Sequence, residues 1–328
     1  MESADQQSLS SAVQWLEEGL GVWLVTVAGT WGSSPRPPGS LLALCADGRF
    51  SGSVSGGCVE SELSKYVRRR RPERPQTITY GVTAEETRRL GLPCGGRLEV
   101  VIEPLTAAAP LRALLDALAE RRSVRRRLCL ATGEASLHAG DGNAPFVYDG
   151  HNLDKVFGPQ WRLVIIGVGQ LSGYLAELAL GLDFEVIVCD PRDHAEGNWE
   201  IPGAPLRRDM PDDLVRMLAD DPRSAVVALT HEPNLDDMAL MEALDSRAFY
   251  VGALGSRSNN ANRRRRLAAL GVSEAGLARL RGPVGLPLGS RRPAEIALAI
   301  AAELVATRNG VALVAADAAP AAAPAASA

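Results

Sequence analysis

The sequence predicts an α/β protein: a mixed α+β N-terminal domain followed by a doubly wound parallel sheet. Three observations carry that expectation. From Trp161 onward, continuous apolar runs alternate with helical patterns, beginning with "WRLVIIGVG" and "FEVIVCD". Such runs suit strands buried on both faces, as parallel sheets require. A glycine turn, "IIGVGQLSG", lies directly between the first of these strands and the first helix. Upstream of Leu105, by contrast, short β-branched strands are separated by Pro/Gly loops, and "ADG" marks a hairpin.

The elements follow in order. Ser10 to Leu20 reads as an amphipathic helix with Val13, Leu16 and Leu20 on one face. "GVWLVTVAGT" is a strand ended by Gly29, and "WGSSPRPPGS" is an ordered loop. "LLALCADGRF" and "FSGSV" pair around Asp47-Gly48. A helix from about Val59 to Arg71, a strand "PQTITYGV", a short helix "AEETRRLG" and a strand "RLEVVIEPL" complete residues 1–105. Residues 106–160 are expected to form a connector. It holds one helix and one strand, "RRRLCLATG", and then a turn-rich loop or loose β-ribbon. Residues 161–310 form the Rossmann-like domain, whose last helix starts beside Pro293 and stops at Gly310. The Ala/Pro-rich tail, residues 311–328, is expected to be disordered.

Composition narrows the function. At 328 residues, two domains are the natural expectation, each large enough for its own core. A net charge of −4 gives no reason to expect nucleic acid or an anionic membrane as main partner. The polar, acidic start lacks a signal-peptide pattern, and no apolar run is long enough to span a membrane. The cytoplasm is the expected compartment, and there thiols stay reduced. The five cysteines include no CxxC and no Cys/His cluster with zinc spacing, so no metal site is expected.

Two sets of residues carry chemistry. In the second domain, Gly167 and Gly169 fit the first two positions of a dinucleotide fingerprint, and Asp190 closes the next strand, where a ribose-binding acid sits. The third position is Ser172, which weakens the case for bound NAD. The alternative is that Gly167 and Gly169 serve only the turn and Asp190 caps a loop. "VGALGSR" supplies a second loop, with Gly252, Gly255, Ser256 and Arg257 able to meet an anion. "GPVGLPLGSRRPAEI" supplies a third, and His231 stands at a strand's C-terminal end. The arginine runs 68–71, 121–127 and 263–266 read as solvated surface.

In the first domain, Cys58 in "SVSGGCVESEL" and Cys94 in "GLPCGGRLEV" each lie beside a glycine pair that removes side-chain cover. A thiolate near a helix N-terminus is favoured, although Glu60 or Glu62 opposes that effect at Cys58. Soft thiolates suit sulfur transfer and molybdenum or copper chemistry. Cys45, Cys129 and Cys189, inside apolar strands, read as packing residues.

Together these segments resemble the XdhC/CoxI family. The matching stretches are "GSSPRPPGSLLAL", "GSVSGGCVE", "LPCGGRLEVVIEPL", "VIIGVGQLS", "CDPR", "THEPNLD", "YVGALGSR" and "GPVGLPLGSRRPAEIALAIAAEL". The resemblance implies a chaperone that transiently binds the molybdenum cofactor (molybdopterin). It implies that the cofactor is held while a cysteine desulfurase supplies its sulfido ligand. Insertion into a xanthine dehydrogenase-type molybdenum hydroxylase then follows. By the same resemblance, Cys58 and Cys94 contact the cofactor or the incoming sulfur. Gly167, Gly169, Gly255, Ser256 and Arg257 hold its phosphate or nucleotide end, and Asp190 and Gly252, read from their loops, join the expected cofactor-binding residues. An accessory protein rather than a classical enzyme is expected. The rivals are an NAD(P)-dependent oxidoreductase, for which no catalytic acid/base pair stands out, and a non-catalytic adaptor between desulfurase and hydroxylase. Rossmann-type domains often pair through an edge, so a homodimer is compatible with the sequence.

Overall fold

The computed structural model describes residues 4–32, 36–57, 59–81, 97–142, 144–193 and 199–311. Cys58, Cys94, the expected helix "AEETRRLG" and the tail beyond residue 311 lie outside the described residues. The chain divides into two compact units, one within residues 2–160 and one from residue 161 onward.

The first unit is built on an antiparallel five-stranded sheet in the order β3-β2-β1-β5-β4. Its strands are β1 (Val22–Trp31), β2 (Leu41–Cys45), β3 (Phe50–Gly52), β4 (Gln76–Tyr80) and β5 (Arg97–Leu105). Helix α1 (Ala4–Glu17) starts earlier than its apolar periodicity predicts. It packs Leu9, Ala12 and Trp15 with α3 (Ala109–Ala119) on one sheet face, while α2 (Glu60–Arg70) buries Leu63 and Val67 on the other. The two faces are legible in β1: Val22 and Leu24 join the α1 side, Trp23 and Val25 the α2 side.

The turn-rich segment after residue 120 is more ordered than its composition suggests. Strands β6 (Val124–Cys129), β7 (Ala135–Ala139), β8 (Val147–Tyr148) and β9 (Asn152–Phe157) form an antiparallel sheet in the order β7-β6-β9-β8. Leu128 and Leu153 pack it onto Ala28 and Val101 of the five-stranded sheet. The run 121–127 is not uniformly solvated. Arg126 is buried and pairs bidentately with the buried Glu103 of β5.

The second unit is the expected doubly wound parallel sheet. Its order is β12-β11-β10-β13-β14-β15, all parallel. These are β10 (Trp161–Ile166), β11 (Phe184–Cys189), β12 (Leu206–Arg207), β13 (Ser224–Ala228), β14 (Tyr250–Ala253) and β15 (Leu280–Arg281). Counted from β10 the order is 3-2-1-4-5-6, the dinucleotide-binding arrangement, and its switch point lies between β10 and β13. Leu163 and Ile165 face α4 (Gln170–Gly181) and α9 (Pro293–Arg308); Val164 and Ile166 face α5 (Pro211–Leu218) and α6 (Pro233–Asp245). Helices α7 (Arg257–Ala269) and α8 (Glu274–Arg279) complete this unit. No helix among the described residues is long and apolar enough to cross a membrane.

Candidate functional site

At the switch point the chain leaves β10 through Gly167, Val168 and Gly169 and enters α4. Gly167 has φ +103°, and a Cβ there would stand 2.6 Å from Thr230 Cγ2, so only glycine fits. Gly169 differs. Its backbone is extended, and a Cβ there would meet nothing within 4 Å. Neither the turn nor the packing demands a glycine at 169; the space above it is open. Ser172, at the fingerprint's third position, is buried and donates its Oγ–H to the Gly167 carbonyl at 2.6 Å. It closes the turn from below.

Asp190 at the end of β11 is fully buried. Its carboxylate accepts from Val168 N at 2.8 Å and from Arg192 N, Nε and Nη2 at 3.1, 2.9 and 2.7 Å. Burial alone would raise this carboxyl, but the Arg192 guanidinium and the two backbone N–H groups hold it below the usual range. The acid that the sequence offers for a ribose is therefore engaged inside the protein. Arg192 stands above it and lines the open space.

A cavity of about 450 Å3 sits at this point, lined by Gly169, Arg192, Thr230, His231, Leu254 and Ile296 among others. A second, of about 410 Å3, shares Thr230, His231 and Leu254 and runs on between the ends of β13 and β14 to Gly255, Arg263 and Arg266. Three acids lie beneath this double crevice, each paired with an arginine. Asp190 holds Arg192 at 2.7 Å, Asp236 holds Arg263 at 2.9 Å, and Asp237 holds Arg266 at 2.7 Å. In two of the pairs the carboxylate is the buried member, and Arg192 and Arg266 keep 24% and 43% of their side chains exposed; Arg263 is itself buried with Asp236. The Arg192 and Arg266 pairs turn their positive ends outward, a lining that favours an anionic ligand.

The remaining expected residues separate. Gly255, φ +136°, lines the second cavity, and its carbonyl accepts from Asn260 Nδ2. Ser256 caps α7, its Oγ accepting from Asn259 N at 3.1 Å. Arg257 is exposed on the first turn of α7 and lies outside the lining of both cavities. Gly252 lies inside β14, where a Cβ would stand 2.5 Å from Val284 Cγ2, so its smallness serves packing. The arginine run 263–266 is a correction. Arg263 is buried, donating to Asp236, Asn260 and the Leu254 carbonyl; Arg264 donates to the Leu277 and Leu280 carbonyls; Arg266 holds Asp237. Arg265 keeps to the surface, and Arg266 is exposed while its guanidinium reaches Asp237. The acids at 236 and 237 in "THEPNLDD" were the available signal for these partners.

In the first unit, residues flanking Cys58 are held by one side chain. Glu60 is buried, and its carboxylate accepts from Ser53 Oγ (2.6 Å), Ser55 Oγ (2.5 Å), and the N–H groups of Val54, Ser55, Gly57 and Val59 (2.9–3.1 Å). Burial alone would raise this carboxyl; the Ser53, Ser55 and backbone donors overcome it and hold it at about 2. Cys45 and Cys189 are buried and burial pushes both thiols up, Cys189 to about 12, which suits packing.

Two family models match this architecture. The XdhC Rossmann domain covers residues 163–304, and the XdhC and CoxI family model covers residues 15–81. Together they span more than half of the sequence. The chain belongs to the XdhC and CoxI family. It is 29% identical over 312 residues to the Escherichia coli molybdenum cofactor insertion chaperone PaoD, covering 92% of this chain and 87% of that one. It is 27% identical to a probable xanthine dehydrogenase subunit of Bacillus subtilis, covering 91% and 97%. A solved structure described as a xanthine dehydrogenase from Bacillus halodurans superposes with a TM-score of 0.74 at 25% identity, covering 93% of this chain and 96% of that one.

Proposed function

We propose that this chain is a molybdenum cofactor-binding chaperone. It holds the cofactor during sulfuration and helps insert it into a xanthine dehydrogenase-type hydroxylase. The observation that carries this reading is the open space over Gly169, at the switch point of a dinucleotide-type sheet and bordered by Arg192. A phosphorylated pterin fits that chemistry: the α4 N-terminus and Arg192 receive its phosphate, and Gly255, Thr230 and His231 border the rest. When bound, the cofactor supplies the molybdenum–sulfur centre. Cys58 and Cys94 are the thiols proposed to serve the sulfur chemistry, with Glu60 fixing the residues on either side of Cys58. A soluble cytoplasmic setting and a cysteine desulfurase partner belong to this proposal. The relative named as an insertion chaperone supports the reading, and the engagement of Asp190 weighs against an NAD-dependent oxidoreductase, whose ribose needs a free acid.

The test is to purify the protein from cells that make the cofactor and assay molybdenum and pterin. Stoichiometric loading is expected, falling in Cys58→Ala. Equal loading of the variant would remove Cys58 from the site. Absence of pterin together with saturable NAD(P) binding would replace the reading with the oxidoreductase.

A further inference from the structure

The first unit carries a groove that the crevice does not use. It has a volume of about 600 Å3 and runs between α2 and β4. One wall is a single stripe of α2: Glu62, Lys65, Tyr66, Arg69 and Arg70 follow at three- and four-residue steps, which places them on one helical face. The floor is Ile78 and Tyr80 of β4. These residues face α2 together with Gln76, whose Oε1 accepts from Tyr66 Oη at 2.7 Å. Thr77 faces the opposite side, with its Oγ1 3.2 Å from Tyr148 Oη.

Two properties of this groove point to a ligand. First, β4 is the outer strand of its sheet; among the described residues only β5 pairs with it. An edge strand presents a row of main-chain donors and acceptors to any extended chain laid beside it. Second, the stripe above that edge is basic on a chain whose net charge is −4. Lys65 makes one exposed pair with Glu62 at 3.1 Å, which contributes little. Arg69 and Arg70 are exposed and no ion pair engages them among the described residues. The helix dipole favours basic residues in a last turn. It does not account for Lys65 a full turn earlier on the same stripe, nor for the tyrosines beside it.

We propose that this groove binds an extended acidic segment of a partner protein. The segment adds as a strand to the edge of β4 that is unpaired among the described residues, and its acidic side chains meet Lys65, Arg69 and Arg70. The charge selects the occupant. A second copy of this chain would bring the same basic stripe and be repelled, whereas an acidic strand is attracted and held in register. The proposal stands on the first unit alone and does not depend on the cofactor reading.

The probe is a fluorescent peptide alternating Glu with Thr and Val, titrated into the full chain and followed by anisotropy. Saturable binding is expected, weakened about tenfold or more in the Lys65→Glu, Arg69→Glu variant. Two N-methylated versions of the peptide, blocked at odd or at even positions, separate strand addition from plain charge attraction. Only alternate N–H groups of an added strand face its neighbour, so one version should lose binding about tenfold and the other keep it. This arm uses the unaltered protein and decides the matter even where the charge variant does not fold. No saturable binding of the parent peptide overturns the proposal. So does equal binding of both methylated versions, or equal competition by a single-stranded oligonucleotide of matched charge.

Discussion

Two glycine-rich loops in this molecule, one in each unit, are each tied down by a single buried carboxylate, and they differ in where that carboxylate comes from. Glu60 belongs to the loop's own helix and gathers six donors from Ser53 through Val59. Asp190 belongs to the neighbouring strand and takes one backbone N–H from the glycine turn, then turns to Arg192. The first arrangement fixes a whole segment of backbone around the position of a thiol. The second fixes only the turn, and leaves a guanidinium and open space over it. A loop that offers a side chain is built from within; a loop that offers space is held from outside.

The largest expected effect is on the first loop. Glu60→Gln replaces an ionised acceptor of six hydrogen bonds with an amide that brings its own donors into a buried site. A loss of about 3 kcal/mol is expected in urea unfolding. The pH dependence has a definite sign. The folded carboxyl is held at about 2 against an ordinary value of 4.5. Its stabilisation is therefore complete above pH 4.5 and is lost as the pH falls toward 2. Glu60→Gln should abolish that part of the acid sensitivity. A variant that melts like the parent at pH 7 would show that the loop is not organised by Glu60.

How much of this contrast is legible in sequence follows from the range of the interactions. The strand–turn–helix at 161–181 is local, so apolar continuity and glycine spacing reveal it. Asp190 has one local partner, Arg192, and one 22 residues back, Val168, and their effect is not legible. An acid ending a strand reads the same whether it faces a ribose or a backbone N–H. Strands β12 and β15 are two residues long and have no period to detect; the sheet around them defines them. The ribbon of β7, β8 and β9 is half-exposed and polar, and its order comes from pairing with β6 and from Leu153, not from propensity. Arg126, Arg263 and Arg266 looked like surface because their partners, Glu103, Asp236 and Asp237, are more than twenty residues away.

Smaller effects should come from the second loop. Gly167→Ala places a methyl against Thr230 at a φ that disfavours side chains, at a cost of about 2 kcal/mol in urea unfolding. Asp190→Asn keeps an acceptor for Val168 but removes the charge that holds Arg192. A loss of about 1–2 kcal/mol is expected, less than for Glu60→Gln because Arg192 can turn to water. Equal losses for the two acid variants would erase the contrast between the loops.

The smallest stability effect belongs to the residue that sharpens the comparison most. Gly169 has an extended backbone that any residue adopts, and its Cβ direction is open for 4 Å. Gly169→Leu should therefore unfold within about 0.5 kcal/mol of the parent. If the space is there for a ligand, the same change should abolish loading with pterin and molybdenum, because a leucine side chain would occupy the approach to the α4 N-terminus. Stability retained with loading lost would separate this glycine from Gly167, two residues away, which the fold itself requires. Loading retained in Gly169→Leu would mean that the open space is not the binding place, and the phosphate would then have to be sought at the Gly255 end of the crevice, where the same assay on Arg266→Ala would locate it.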